Sequence, residues 1–207
     1  MLKKHFQINL ISIALLFLLF GCGPSTKITS SWVQQPAPAE SINKVLVIAL
    51  SRDTTSRKLW ENSFAEQFAA KNKHAIASYT IAEDPIEPQE EAILKVIQQA
   101  QADTVLITHL VDSDTTTKWH PGTVRYEPSF YSRMYGYYGH AYQAVYSPPT
   151  VTTRTIVSLE SNMYNVATKK LVWAAQSDTI NPKLLKTDFD SVVKKLMADL
   201  QQKGVLN

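Results

Sequence analysis

The sequence has one cysteine, six glycines and a single long apolar run in 207 residues. One cysteine excludes a disulfide scaffold, and one apolar run excludes a polytopic membrane protein. The net charge is also small, because the sequence contains 21 basic and 18 acidic residues. Nucleic-acid binding needs a concentrated basic face, so we expect no nucleic-acid partner. With 44% hydrophobic residues, the chain has the composition of a globular protein with one domain.

Catalytic motifs are missing as well. The sequence has no Gly-x-Ser-x-Gly elbow, no Gly-x-x-x-x-Gly-Lys phosphate loop and no Gly-x-Gly-x-x-Gly fingerprint. The residues of metal-ligand type cluster at His109, Asp112, Asp114 and His120, but their spacing matches no compact metal motif. The two aspartates are interpreted as turn residues that follow a strand. We therefore expect no catalytic residue, no metal and no cofactor, and a protein that is not an enzyme.

The N-terminal segment has the layout of a bacterial export signal. Two lysines precede an apolar run over 8–20, which is shorter than the ~20 residues that span a bilayer. The run ends in Leu-Phe-Gly-Cys at 19–22, which resembles the lipobox of bacterial lipoproteins. The resemblance implies a signal peptide over 1–21 and lipidation of Cys22. With Gly23 next, it also implies anchoring at the periplasmic face of the outer membrane.

Residues 22–42 are predicted to be a tether between the lipid and the domain. They are rich in Ser, Thr, Pro and Ala and have no apolar periodicity, which is typical of a linker. About 20 residues of such coil reach on the order of 25 Å. Trp32 interrupts this segment, and two positions for its side chain stay open, on the domain or at the lipid interface.

Residues 43–207 alternate between strand and helix patterns. Apolar runs predict strands over 44–50, 76–81 and 103–111, with helices between them. The first of these helices has Asp53 and Thr54 as candidate caps and an apolar stripe at Trp60, Phe64 and Phe68. A β-α-β-α-β order favours parallel pairing. The last third predicts a β-hairpin over 151–177 and a C-terminal helix, which begins at a capping box of Thr187 and Asp190. Gly204 is expected to end this helix, with Val205 and Leu206 available for an apolar contact behind it. The predicted fold class is α/β, a mixed sheet of about five strands with three helices.

A long insertion over 112–149 interrupts this pattern. It holds seven of the nine tyrosines, a composition that suits a recognition or self-association surface. It equally suits an arm that covers its own sheet or a segment without fixed structure. The candidate binding residues are Trp119, Tyr131, Tyr135, Tyr137, Tyr138 and Tyr142.

Several segments together resemble a widespread family of bacterial periplasmic lipoproteins that has no assigned function. They include Ser31-Trp32 with Pro36, the strand KVLVIAL, the segment ADTVLITHLVD and a closing strand that contains LVW. The chain departs from the family at Asn72-Lys73, where relatives place glycine. The family supplies no catalytic residues. Its layout is similar to the α/β domain of curli-export and penicillin-binding-protein-activator lipoproteins, which are assembly components.

The leading hypothesis is an outer-membrane-anchored periplasmic lipoprotein that acts as a non-catalytic binding or assembly component of the envelope. Its expected partners are the membrane, through the N-terminal lipid, and an envelope protein or further copies of the chain. Two alternatives stay open. One is a carbohydrate or small-ligand module in which Trp119 and the tyrosines stack on sugar rings, and the other is a metal-dependent enzyme that uses His109 and His120.

Overall fold

A computed structural model describes residues 25–35, 42–120, 134–136, 138–139 and 149–206. The predicted signal peptide, Cys22 and the candidate residues Tyr131, Tyr137 and Tyr142 lie outside these ranges. The elements, in chain order, are β1 (Ser25–Val33), β2 (Lys44–Leu50), α1 (Thr54–Ala69), β3 (His74–Ala77), a 3-10 turn (Ser78–Thr80), α2 (Glu90–Ala100), β4 (Thr104–His120), β5 (Thr150–Asn165), β6 (Leu171–Ile180) and α3 (Lys186–Gln202).

The strands form one mixed sheet in the order β1-β6-β5-β4-β2-β3. β2 is parallel to both β3 and β4, whereas β4, β5, β6 and β1 pair antiparallel in turn. The predicted α/β class with a mixed sheet is confirmed, and β1 adds a sixth strand to the five expected. Among the described residues, no helix is long and apolar enough to cross a membrane.

The larger core lies between the sheet and the pair α1 and α3. In α1 the predicted apolar stripe is confirmed, because Phe64 and Phe68 are fully buried and Trp60 packs edge-on against Phe189 of α3 at 4.9 Å between ring centres. From the sheet side, Met163 and Trp173 are fully buried in the same cluster. Burial of side chains this large is the main source of the domain's stability.

A smaller core lies on the opposite face, where α2 covers only the parallel half of the sheet. Leu46 and Ile48 of β2 and Val105 of β4 pack there against Val96 and Ile97 of α2. Residues 45–49 of the run KVLVIAL are therefore buried on both faces, as its uninterrupted apolar sequence predicts. On this second face, none of the described helices covers β5, β6 and β1.

The segment predicted to be a tether contains a strand. Ser25–Val33 pairs antiparallel with β6 along the edge of the sheet, with a register shift between Ile28 and Ser30. The Ser31 hydroxyl also donates to the Asp199 carboxylate of α3 at 3.1 Å. Threonine and serine share the less exposed positions of β1 with isoleucine and valine, so the sequence shows no regular apolar alternation. The linker prediction was wrong for 25–33.

Two strand boundaries also differ from the prediction. The strand expected over 76–81 spans His74–Ala77 and gives way to a 3-10 turn, because the Ser78 hydroxyl and the Tyr79 N–H both turn to Glu61 of α1. The strand expected to end at residue 111 continues to His120. Its β-branched run of three threonines, 115–117, supports this extension.

The helix starts give one confirmation and one correction. Asp53 caps α1 by accepting from the Ser56 N–H at 2.7 Å. At α3, by contrast, Asp188 takes the role expected of Asp190, since its carboxylate accepts from the backbone N–H of Leu185 and Lys183. Asp190 instead accepts from Ser63 of α1 at 2.7 Å. The predicted capping box of Thr187 and Asp190 was therefore wrong, because the capping residues lie two positions earlier, at Leu185 and Asp188.

A buried hydroxyl in the larger core gives the first testable prediction. Among the described side chains, the fully buried Ser177 Oγ has no hydrogen-bond partner, and an unmet buried donor costs about 1–3 kcal/mol. Ser177→Ala should therefore stabilise the domain by about 1 kcal/mol in urea unfolding. The matched control is Ser161→Ala, which should destabilise it, because Ser161 bonds Thr108 at 2.9 Å. Equal effects of the two changes would refute the assignment.

Candidate functional site

A two-stranded ribbon extends from the end of the sheet. β2 pairs with β4 only as far as His109, and β6 pairs with β5 only from Ile156 onward. Beyond these limits, and among the residues that the structure describes, 115–120 pair only with 150–155, over a length of about 20 Å. Two-stranded ribbons are marginally stable in water, and their outer edges carry backbone groups that a further strand can bond.

The two faces of the ribbon differ in charge. Because side chains alternate along a strand, Thr115, Thr117 and Trp119 share a face with the residues opposite them, Thr155, Thr153 and Val151. This uncharged face ends in the Trp119–Val151 pair, whose side chains are 62% and 60% exposed. The other face carries Lys118, His120 and Arg154. An exposed apolar pair on an uncharged face is the kind of surface that a partner covers.

The structure describes three of the six candidate binding residues. Trp119 lies at the far end of the ribbon, and Tyr135 and Tyr138 belong to the segment that connects its two strands, with 82% and 66% exposure. Tyr131, Tyr137 and Tyr142 lie outside the described residues. The proposed tyrosine surface therefore stays a prediction, whereas the exposure of Trp119 is a property of the described ribbon.

A cavity of about 650 Å³ opens where the ribbon leaves the sheet. It lies at the carboxyl end of β2 and beside the middle of β4, between the N-terminal turns of α1 and α3. Crevices at this edge of α/β sheets are common ligand sites, and the volume falls within the ~300–1,000 Å³ of typical ligand pockets. Its floor is buried and largely apolar, and is formed by Leu159, Phe189 and Val192.

The mouth of this cavity combines polar side chains, such as Ser51 and Arg52, with exposed aliphatic ones. Leu50, Leu110 and Leu184 line it and are each more than half exposed. Their chain neighbours Val111 and Leu185 are also more than half exposed. We call these five residues the leucine patch. Exposed aliphatic side chains are ordinary when isolated, but a cluster at one opening indicates a contact surface.

The acidic groups in the cavity have structural partners. Hydrogen bonds from the Ser56 side chain and backbone lower the pKa of Asp53 below its usual value, and this carboxylate caps α1. Asp188 accepts from the backbone at the start of α3. Both carboxylates therefore serve helix ends, and the cavity offers a ligand mainly apolar contact.

The cavity and the uncharged face of the ribbon are continuous. Ser113 and Val157 line the cavity and lie directly opposite each other in the β4–β5 register. Two residues further out, Thr115 and Thr155 begin the uncharged ribbon face, and their hydroxyls lie 3.1 Å apart. One uncharged strip thus runs from the cavity to the Trp119–Val151 pair. Several separate chain segments line the cavity, so no local sequence motif marks it.

The structure separates the candidate metal ligands. His109 and His120 belong to the same extended strand, so about 35 Å of chain lies between them. Asp112 and Asp114 lie within β4 and pair with β5, so their interpretation as turn residues was wrong. Within the described part of the chain, no group of three or more His, Cys, Asp or Glu side chains is arranged to hold a metal.

Trp32 lies on the face of the antiparallel half that none of the described helices covers. It is opposite Ala174 in the β1–β6 register, and about half of its side chain is exposed. It borders a shallow hollow of about 260 Å³ together with Glu160, Asn162 and Gln176. Glu160 accepts from Asn162 at 2.6 Å, and Gln176 accepts from Ser30 at 3.1 Å. These polar bonds are typical of a solvated sheet face.

Comparison with known proteins finds only distant likeness. No protein-family model matches the chain, and no curated protein matches its sequence. The PelC dodecamer from Paraburkholderia phytofirmans has 14% identity over 86% of this chain and 99% of that one, with a TM-score of 0.45. Lipoprotein GNA1162 from Neisseria meningitidis has 12% identity over 77% and 99%, with a TM-score of 0.41. At these values the likenesses do not indicate what this chain binds.

Proposed function

We propose that the chain is a non-catalytic binding component of the bacterial envelope, held at the periplasmic face of the outer membrane by a lipid on Cys22. It binds a protein partner, another envelope protein or a second copy, through the β4–β5 ribbon. The observation that carries this proposal is the ribbon itself, which presents the exposed Trp119–Val151 pair and two strand edges beyond the sheet.

The ribbon suits a protein partner better than a small ligand. Among the described residues, no third strand pairs with 115–120 or 150–155, so the outer edges of the ribbon offer a row of backbone donors and acceptors to an added strand. Trp119 at its far end supplies a large rigid side chain, the type that dominates protein interfaces. The threonines of the uncharged face add β-branched contact area without a charge that a partner would have to desolvate.

Lipid attachment is supported by the N-terminal sequence. The apolar run, the small residue before the cysteine and the single cysteine fall in the order of the lipobox. Several acyl chains hold a protein firmly, whereas a single chain binds membranes reversibly. Cells that express the wild-type chain should incorporate lipid precursors into it, and Cys22→Ser should abolish both this label and membrane attachment.

Site-specific photo-crosslinking in the cell envelope tests the binding role. A photoreactive residue at Val151 should give protein adducts, because this position lies on the uncharged ribbon face. Adding Trp119→Ala should reduce the adduct yield at 151 by about thirtyfold, since truncation of an interface tryptophan that dominates binding costs about 2 kcal/mol.

The matched control is a photoreactive residue at Thr152, the next position on the same strand but on the opposite face. We expect few adducts there. Mass spectrometry of the adducts from 151 identifies either a partner or a second copy of the chain. If positions 151 and 152 both gave no adduct, the binding role of the ribbon would be wrong. Trp119-dependent adducts to glycan instead of protein would favour the carbohydrate-binding alternative.

A further inference from the structure

The distance between the lipid anchor and the folded domain is very short. Cys22 precedes Ser25 by three residues, and Ser25 is already paired with Ile180 at the end of β6. A fully extended chain covers at most ~3.6 Å per residue, so three residues span about 10 Å. A flexible linker over residues 22–42 would let the domain lie about 25 Å from the lipid. Because β1 is paired within the sheet, this distance is much shorter.

The anchored end of β1 lies beside the cavity. The Thr26 hydroxyl is 3.1 Å from the Thr179 hydroxyl, and Thr179 lines the cavity wall. β6 runs parallel to β4, and β1 runs antiparallel to both. The end of β6, the start of β1 and the cavity mouth therefore lie at the same end of the strands. The leucine patch therefore lies at the same end of the domain as Ser25, which follows Cys22 by three residues.

The leucine patch is held outward by local backbone features. A register shift between Leu110 and Asp112 marks a bulge in β4, and both Leu110 and Val111 are exposed there. Leu184 has a φ of 57°, a left-handed conformation that costs a leucine about 1–2 kcal/mol. Strain of this kind persists where the surroundings require a particular arrangement. Here it accompanies an aliphatic side chain that is 62% exposed.

We propose that the leucine patch is a membrane-docking surface, which inserts into the interface of the bilayer that carries the Cys22 lipid. The proposal rests on the lipid attachment given under the proposed function. A lipid surface fits because the patch is aliphatic. The patch also lies at the end of the sheet where β1 begins, and Ser25 at that end is within about 10 Å of chain from the acylated Cys22.

Spin-label depth measurements on the lipidated chain in liposomes test this proposal. Acylation blocks Cys22, which is the only natural cysteine, so Leu184→Cys and Val111→Cys each provide one labelling site. Both labels should collide more often with oxygen, which concentrates in lipid, than with a water-soluble nickel chelate. The matched control is Gln202→Cys, which is exposed at the opposite end of α3 and should show the aqueous pattern.

The possible outcomes separate the two proposals. Aqueous labels at both 184 and 111, in a chain that floats with the liposomes, would overturn membrane docking and leave lipid attachment intact. Labels shielded from both relaxing agents would show that protein covers the patch, either residues 121–148 or another chain, and would also overturn it. A wild-type chain that does not float would contradict lipid attachment, and docking with it. Using two sites guards against a fold defect at the strained position 184.

Discussion

Arg57→Ala should destabilise the domain by about 3–5 kcal/mol, because it leaves a buried carboxylate without its ionic partner. Glu61 is fully buried in α1, and Arg57 is 3% exposed one turn earlier. The guanidinium Nε lies 3.2 Å from Glu61 Oε1. Since domains of this size are stable by only about 5–15 kcal/mol, the loss removes a large part of the total.

The buried pair joins three parts of the fold. Arg57 donates to the carbonyl oxygens of Ala82 and Glu83, while Glu61 accepts from the Ala49 N–H at the end of β2. Glu61→Gln should therefore also destabilise the domain, although an amide still accepts one or two of these bonds. Arg57→Lys should recover little, because one ammonium group cannot reproduce the fork of guanidinium donors.

Urea unfolding of the chain without residues 1–22 measures these effects. The matched control is Lys169→Ala, which removes an ion pair with Glu90 whose two side chains are about two-thirds exposed. Solvent screens such pairs, so this change should leave the urea midpoint almost unaltered. If Arg57→Ala and Lys169→Ala shifted the midpoint equally little, the buried pair would not contribute as described.

Trp173→Ala should cost about 3–5 kcal/mol, the range for truncation of a large aromatic in a packed core. Trp173 is the largest fully buried side chain among the described residues. Its Nε1–H donates to Asp199 of α3 at 2.8 Å, and the same carboxylate accepts from Ser31 of β1. One side chain therefore links β6, α3 and the edge strand.

Trp173→Phe separates packing from hydrogen bonding. It keeps most of the apolar volume and loses the Nε1–H bond, so we expect a loss of about 1–2 kcal/mol. Urea unfolding gives both free energies, and near-ultraviolet circular dichroism reports whether the aromatic packing persists. A loss for Trp173→Phe as large as that for Trp173→Ala would show that the hydrogen bond, and not the packing, dominates.

The sequence predicts those parts of the fold that are determined by buried apolar residues. The run 44–50 is a strand covered on both faces, and the Phe64–Phe68 stripe faces the core. Gly204 ends α3 with a φ of 73°, and Val205 and Leu206 pack behind it. In each case periodicity or a conformational preference of the residue itself carries the information.

The remaining features depend on contacts that a linear pattern does not contain. β1 is held by backbone pairing and by hydroxyls such as Ser31, which resemble linker residues in sequence. The shift of the cap from Asp190 to Asp188 depends on where Ser63 of another helix lies. The cavity likewise arises only when distant segments meet at one edge of the sheet. Trp119, by contrast, can be predicted as a candidate binding residue, because a tryptophan in a long insertion stands out by composition alone.

The position of β1 also determines when the domain can be completed during synthesis. Thr26 and Thr179, which bond across the β1–β6 pair, are separated by 153 positions. The first strand made therefore waits for nearly the whole chain before its partner exists, and pairs of such long separation form slowly. Until then β1 lacks its strand partner, and Trp173 lacks the cover of α3 until that helix has also been made. A nascent or C-terminally truncated chain should thus be a substrate for chaperones, and loss of α3 should release β1 as well.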